Sequence, residues 1–274
     1  MARLKERALR FGEDQRLLGI LTVPATPLAG LPTVIIPNTG IDHRVGPNRL
    51  HVQLARALGA AGYCTLRFDL SGLGDSDAPR GAAPDASRDL QDAVSMLLSR
   101  QHGPQFLLIG LCSGAHDIHQ FAKNSLDVMG ALFIDGYAYP TPRFKRRRFM
   151  QRLLRLHRKA AETLPSLLGD DGESLATQGP ASSLAPEYFR QPALEEASAD
   201  FTTMLSRGIH LAFLFTGDME SEYNYAEQHF DVFPQLKGYA EVWYQPKTDH
   251  TLSRRTSREA LVQHIREWMG RLKD

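Results

Sequence analysis

The sequence predicts an α/β fold with a mostly parallel central sheet flanked by helices and an inserted helical lid. Three observations point there. Short apolar runs alternate with stretches of helical spacing, the pattern of a sheet covered on both faces. One such run, "LLIGLC", passes through small residues straight into a helix-like segment. Residues 139–206 carry no obvious strand and so break the alternation. Residues 1–138 and 207–274 are therefore read as one core, and 139–206 as the lid inserted into it.

The elements follow in order. "LKERALRF" and "LLGILTVP" read as an opening strand pair, and "TVIIPNTG" as a short buried strand. "RLHVQLARALGAAGY" has helical spacing and ends at Gly62. "CTLRFDL" is the next strand, with the turn "SGLGDSD" behind it. "DASRDLQDAVSMLLSRQ" is a helix that Asp85 or Ser87 can cap. "QFLLIGLC", "VMGALFIDGY" and "IHLAFLFTGD" are buried strands, "YAEVWYQP" alternates as an edge strand does, and "REALVQHIREWMGRL" closes the chain as an amphipathic helix. Within the lid lie a basic helical stretch, "RFKRRRFMQRLLRLHRK", and a looser part rich in Pro, Gly and Ser. Long inserted segments tend to be functional.

Bulk properties exclude several classes. At 274 residues the chain can bury a large core, and a net charge of +1 gives no global pull toward nucleic acid. No run reaches the roughly 18 apolar residues of a membrane span. The opening "MARLKERALRFGEDQ" lacks the apolar core of a signal peptide. Only Cys64 and Cys112 are present, which argues against a disulfide scaffold and fits a reduced, cytoplasmic compartment. No cysteine and histidine spacing resembles a zinc site, so neither metal nor cofactor is expected.

The turn "GLCSG" carries the chemistry. A strand that bends abruptly into a helix holds one residue at a strained tip, and positions two residues to either side must be small. Gly110 and Gly114 flank Cys112 in that way, whereas Leu111 and Ala115 flank Ser113. Spacing therefore selects Cys112 as nucleophile and makes Ser113 the residue whose N–H points into an oxyanion hole. A tip at a helix N-terminus favours a thiolate. The alternative is a structural cysteine. Cys64 lies in an apolar strand and reads as core.

The partners should follow in the order nucleophile, acid, histidine. His250, between the last strand and the last helix, is the expected base; most of the ten histidines read as surface residues. The acid is expected after "HLAFLFT", as Asp218 or alternatively Glu220. The second oxyanion donor should come from the loop "PNTGIDHRVGPNRL", at Thr39, Gly40 or Ile41. Asn38, His43 and Arg44 share that loop, either as substrate contacts or as internal loop bonds. "FDLSGLGDS" lacks the lysine of a phosphate loop and reads as a tight turn.

On these residues the sequence resembles the α/β-hydrolase superfamily, whose fold the resemblance implies. The motifs that carry it are the "NTG" loop, "DLSGLGDS", "GLCSG", "TGD" and "DHTLS", in that order along nearly the whole chain. Within the superfamily, "HRVGPNRL" and the cysteine elbow are similar to serine-aminopeptidase-like and thioesterase-like hydrolases of bacterial biosynthetic or exopolysaccharide clusters. The departure from the commonest pattern is cysteine for serine.

The expected activity is that of an acyl-thioester hydrolase or acyltransferase working through a Cys-His-Asp triad. The substrate is expected as a small acyl group, presented on coenzyme A or an acyl carrier protein. Arg146, Arg147 and Arg148 are candidates for docking such a carrier, the alternative being a solvated helix face or a membrane-surface helix. Competing expectations are an esterase or peptidase acting on small esters or amides, and a non-catalytic binding protein of the same fold.

Overall fold

The computed structural model describes residues 4–26, 30–166 and 191–272, with side chains left undescribed over 155–166. Eight strands form one sheet: β1 (Lys5–Phe11), β2 (Leu17–Val23), β3 (Thr33–Pro37), β4 (Thr65–Phe68), β5 (Phe106–Leu111), β6 (Val128–Ile134), β7 (His210–Thr216) and β8 (Ala240–Gln245). Their spatial order is β1-β2-β4-β3-β5-β6-β7-β8. The β1–β2 and β2–β4 pairs are antiparallel, and every pairing from β4 across to β8 is parallel. Parallel strands end on the same edge. The loops after β3, β5, β6, β7 and β8 therefore gather at one end of the sheet, where such folds place their sites.

The period-2 alternation of strand side chains splits the core into two layers. Phe106 and Leu108 of β5 point to one layer, and Leu107, Ile109 and Leu111 to the other. The first is covered by α2 (Ala86–Ser99) and α3 (Ser113–Ala122). The second is covered by α1 (Leu50–Ala60) through Leu50, Leu54 and Leu58. Asp85 caps α2 by accepting from the Ser87 and Arg88 N–H groups, satisfying two of its orphan donors.

A basic helix, α4 (Pro142–Ser166), opens the region read as a lid. Its looser continuation over 167–190 lies outside the described residues. The expected lid boundary at residue 206 takes in an unforeseen element. Helix α5 (Leu194–Ser206) buries Ala197, Phe201 and Met204 in the first core layer, so it belongs to the covering of the sheet. Those three residues sit at i, i+4 and i+7, a stripe hidden in sequence by the polar residues between them. Asp200 of α5 joins it to α3, meeting His119 Nε2 at 2.9 Å and Lys123 Nζ at 3.1 Å. The short α6 (Gln228–Val232) and the long α7 (Arg255–Arg271) complete the fold, and α7 buries Leu261, Ile265 and Trp268 beside α1.

Three of the histidines, His51, His119 and His229, are buried. Burial pushes His229 down to about 3; burial and then Arg67 push His51 down to about 4. Both rings stay neutral in the fold while the unfolded chain takes up their protons below about 6.5. Stability is therefore expected to fall between pH 6.5 and 4, by about 1.4 kcal/mol per pH unit for each histidine. Thermal melts across that range check this, and His229→Leu should flatten the slope. A melting temperature level from pH 6.5 to 4 would contradict it.

Candidate active site

The bend after β5 is as tight as the glycine spacing requires. Cys112 sits at φ 55°, ψ −118°, a conformation that L-residues rarely adopt, and α3 begins at the next residue. Its N–H still donates to Ile134 O at 2.8 Å, so sheet pairing holds the strained residue in place. A Cβ on Gly110 would lie 2.3 Å from Gly114 O, and one on Gly114 would lie 3.0 Å from Asn38 O. Gly110 is thus a steric necessity, and a Cβ at 114 would press on the β3 loop. Cys112, and not Ser113, occupies the tip.

His250 lies on the loop between β8 and α7. Its Nδ1 is 2.9 Å from Oδ2 of Asp135, the residue directly after β6. Here the geometry departs from the expected acid. Asp218 accepts from the backbone N–H of His250 at 2.7 Å and so fixes the loop, not the ring. Nor is Glu220, on the same loop, the partner of that ring nitrogen. Asp135 is fully buried, and its remaining lone pairs are filled from β7: Thr216 N–H donates to Oδ1 at 2.7 Å, and Thr216 Oγ1 donates to Oδ2 at 2.6 Å. These bonds hold the carboxylate aimed at the ring.

Electrostatics follow. The imidazole of His250 is pushed up to about 10, first by its hydrogen bond to Asp135 and then by one to Cys112, both outweighing burial. The ring is thus an imidazolium near neutral pH, placed between a buried carboxylate and a sulfur. Cys64, by contrast, is half-buried and burial pushes its thiol up.

The loop after β3 is organised from within. Asn38 donates to Gly40 O at 3.1 Å and to Asp42 O at 3.0 Å, and accepts from Leu70 N–H at 2.9 Å. Arg44 pairs with buried Asp69 at 2.5 Å and with Asp75 at 2.7 Å, and His43 Nδ1 accepts from Val45 N–H at 3.3 Å. The three side chains weighed as substrate contacts therefore make internal loop bonds. Among the oxyanion candidates, the Gly40 N–H donates to Ser113 Oγ at 2.7 Å, the Thr39 hydroxyl is buried without a partner among the described residues, and Ile41 is exposed. Ser113 N–H opens α3, where no intrahelical acceptor exists for it. Ser113 thus has a second role: its hydroxyl ties the β3 loop to the elbow. Ser113→Ala is expected to lower kcat roughly tenfold with little change in KM, through misplacement of that loop. A KM change with constant kcat would contradict this.

Of the three arginines read as docking candidates, Arg148 donates to Ser221 O at 2.9 Å, Arg147 lies 5.8 Å over the Tyr225 ring and Arg146 is exposed. A groove of about 170 Å³ opens between α4 and the β7 loop, lined by Arg148, Gln151, Arg152, Glu220 and Ser221. It contains neither Cys112 nor His250. Among the described residues, no cluster of His, Cys, Asp and Glu fits a metal ion.

The sequence reading missed Asp135 and Thr216. The signal for Asp135 was present: "LFIDGY" places an acid beside a glycine at the end of a buried strand, as "FTGD" does.

A profile described as the alpha/beta hydrolase family matches residues 41–269. No curated protein matches the sequence. Solved structures with the same fold include an esterase from Pyrococcus furiosus at 14% identity and TM-score 0.60, covering 98% of this chain and 91% of that one. A dienelactone hydrolase from Anabaena variabilis aligns at 15% identity and TM-score 0.57, covering 98% of each chain. An alpha/beta hydrolase from a Penicillium species aligns at 18% identity and TM-score 0.54, covering 99% of this chain and 98% of that one.

Proposed function

The chain belongs to the alpha/beta hydrolase family, and from that premise we propose that it transfers acyl groups from thioesters through an acyl-enzyme on Cys112. The observation that carries the reading is the geometry of His250, bonded through Nδ1 to the buried Asp135 carboxylate and set beside Cys112 at the strained tip. The pull of Asp135 and then Cys112 raises the imidazole pKa, which favours the sulfur anion that attacks.

In the first half-reaction Cys112 Sγ bonds to the carbonyl carbon, and the carbonyl electron pair moves to oxygen. The Ser113 N–H faces that oxyanion, a contact worth about 3 kcal/mol in comparable sites. Collapse breaks the bond to the departing thiol, which takes the proton from His250. In the second half-reaction the neutral ring accepts a proton from water, or from a substrate hydroxyl or amine. That nucleophile attacks the acyl-cysteine, and collapse restores the thiolate and imidazolium. Asp135 stabilises the ring charge throughout, and the Asp218 bond to the His250 amide keeps the loop in register.

Exchange of one thioester for another is nearly thermoneutral, which suits acyl groups delivered on coenzyme A or a carrier protein. Short-chain acyl-coenzyme A and matched p-nitrophenyl esters test the reading. Free thiol should be released by the wild type and not by Cys112→Ala, with the thioester preferred over the oxygen ester. Undiminished turnover in Cys112→Ala, or a preference for the oxygen ester, would overturn it.

A further inference from the structure

The lid helix α4 has an inner and an outer face of opposite character. On the inner face Phe144 is buried, Arg148 holds Ser221 O, and Arg143 pairs with Glu227 at 3.4 Å and Asp231 at 3.7 Å while lying 4.3 Å over the Tyr225 ring. That face is fully occupied. On the outer face Phe149, Met150, Leu153 and Leu154 are 61%, 50%, 37% and 64% exposed. Their i, i+1, i+4, i+5 spacing makes one stripe along the helix. Arg146 falls in the same stripe one turn earlier, and Lys145 borders it. Among the described residues neither of these two cations has an ion-pair partner. No acidic residue occurs from Arg143 to Lys159.

Four large exposed apolar side chains in one stripe are more than a solvated helix tolerates without a partner. We propose that this face of α4 rests on an anionic lipid surface. The apolar stripe enters the boundary between headgroups and acyl chains, and Lys145 and Arg146 meet headgroup phosphates, their aliphatic stems lying along the apolar layer. The charge pattern fits such a surface, since cations flank the stripe and no carboxylate interrupts it. Shape separates it from an acidic protein partner, which would need a pocketed apolar groove to take four neighbouring side chains. A bilayer boundary accepts an unshaped stripe. Docking here is peripheral, for among the described residues no helix is long and apolar enough to cross a membrane.

The position of α4 gives the docking a consequence. The helix follows β6 at the end of the sheet that carries Cys112, and Arg148 anchors it to the loop of Asp218. A membrane under α4 therefore lies beside the mouth of the site, so the acyl donor or acceptor is presented from the lipid phase. The surface argument does not depend on the chemistry of Cys112.

Sedimentation of the full chain with vesicles tests this. Phosphatidylcholine vesicles containing phosphatidylglycerol should bind the protein, and vesicles of phosphatidylcholine alone should not. Affinity should fall at least about tenfold on raising salt, in Arg146→Glu, and in Phe149→Asp with Leu154→Asp, each variant being confirmed as folded by circular dichroism. Cys112→Ala should bind as the wild type does, which separates failure of this proposal from failure of the acyl-enzyme reading. Absent vesicle binding, equal binding to neutral vesicles, unchanged binding by the folded variants, or saturable binding to an acidic acyl carrier protein without vesicle binding would overturn it.

Discussion

Asp135→Asn is expected to lower kcat/KM by about a thousandfold or more, while Asp218→Asn lowers it by less than about tenfold. The contrast follows from what each carboxylate holds. Asp135 is buried, and its Oδ2 accepts the hydrogen bond of the His250 Nδ1–H at 2.9 Å. An amide in its place keeps the shape but can present an N–H to Nδ1, which selects the wrong tautomer and removes the charge that sustains the imidazolium. Asp218 accepts one backbone N–H, and asparagine can still accept it. The pH dependence should change in step. A folded-state pKa raised from 6.5 to about 10 contributes stability that is complete below about 6.5 and is lost as pH rises through about 10. Asp135→Asn should flatten that alkaline limb of a melting-temperature profile, and Asp218→Asn should leave it. Equal kinetic losses in the two variants would contradict the assignment.

Cys112→Ser carries the second large effect, with turnover of thioesters expected to fall about a thousandfold or more at neutral pH while the melting temperature changes little. Serine fits the tip sterically, since the strain is in the backbone and Gly110 and Gly114 are unchanged. What fails is proton transfer. A hydroxyl is far less acidic than a thiol, so the anion that His250 supports at sulfur does not form at oxygen. Rates measured from pH 6 to 10 check the argument. A serine variant that matches the wild type at neutral pH would show that His250 is available as an ordinary base.

The elbow was legible in the sequence because sterics leave few options: only glycine at 110 lets the backbone cross and a small residue is needed at 114, so the tip is fixed by counting. His250 was legible because the last strand and last helix bracket it. The acid was not, because chain order names the loop but not the angle at which a side chain leaves it. Asp218 and Asp135 both end apolar strands beside a glycine, and the choice between them rests on Thr216, whose N–H and hydroxyl turn the Asp135 carboxylate toward the ring. Helix α5 was obscured in the same way, since its apolar positions are widely spaced and only packing against Phe213 and Phe233 identifies Phe201 as core. The loop polar residues Asn38 and Arg44 were ambiguous until Leu70 N–H and Asp69 proved to be their partners.

The most direct test of the central claim is the site of acylation. Wild-type protein mixed with a short acyl-coenzyme A, quenched in acid and digested, should carry the acyl mass on the peptide containing Cys112, at the sulfur, and lose it on treatment with hydroxylamine. An acyl group located on the Ser113 oxygen, or a protein that turns over the thioester with no adduct on that peptide, would contradict the account.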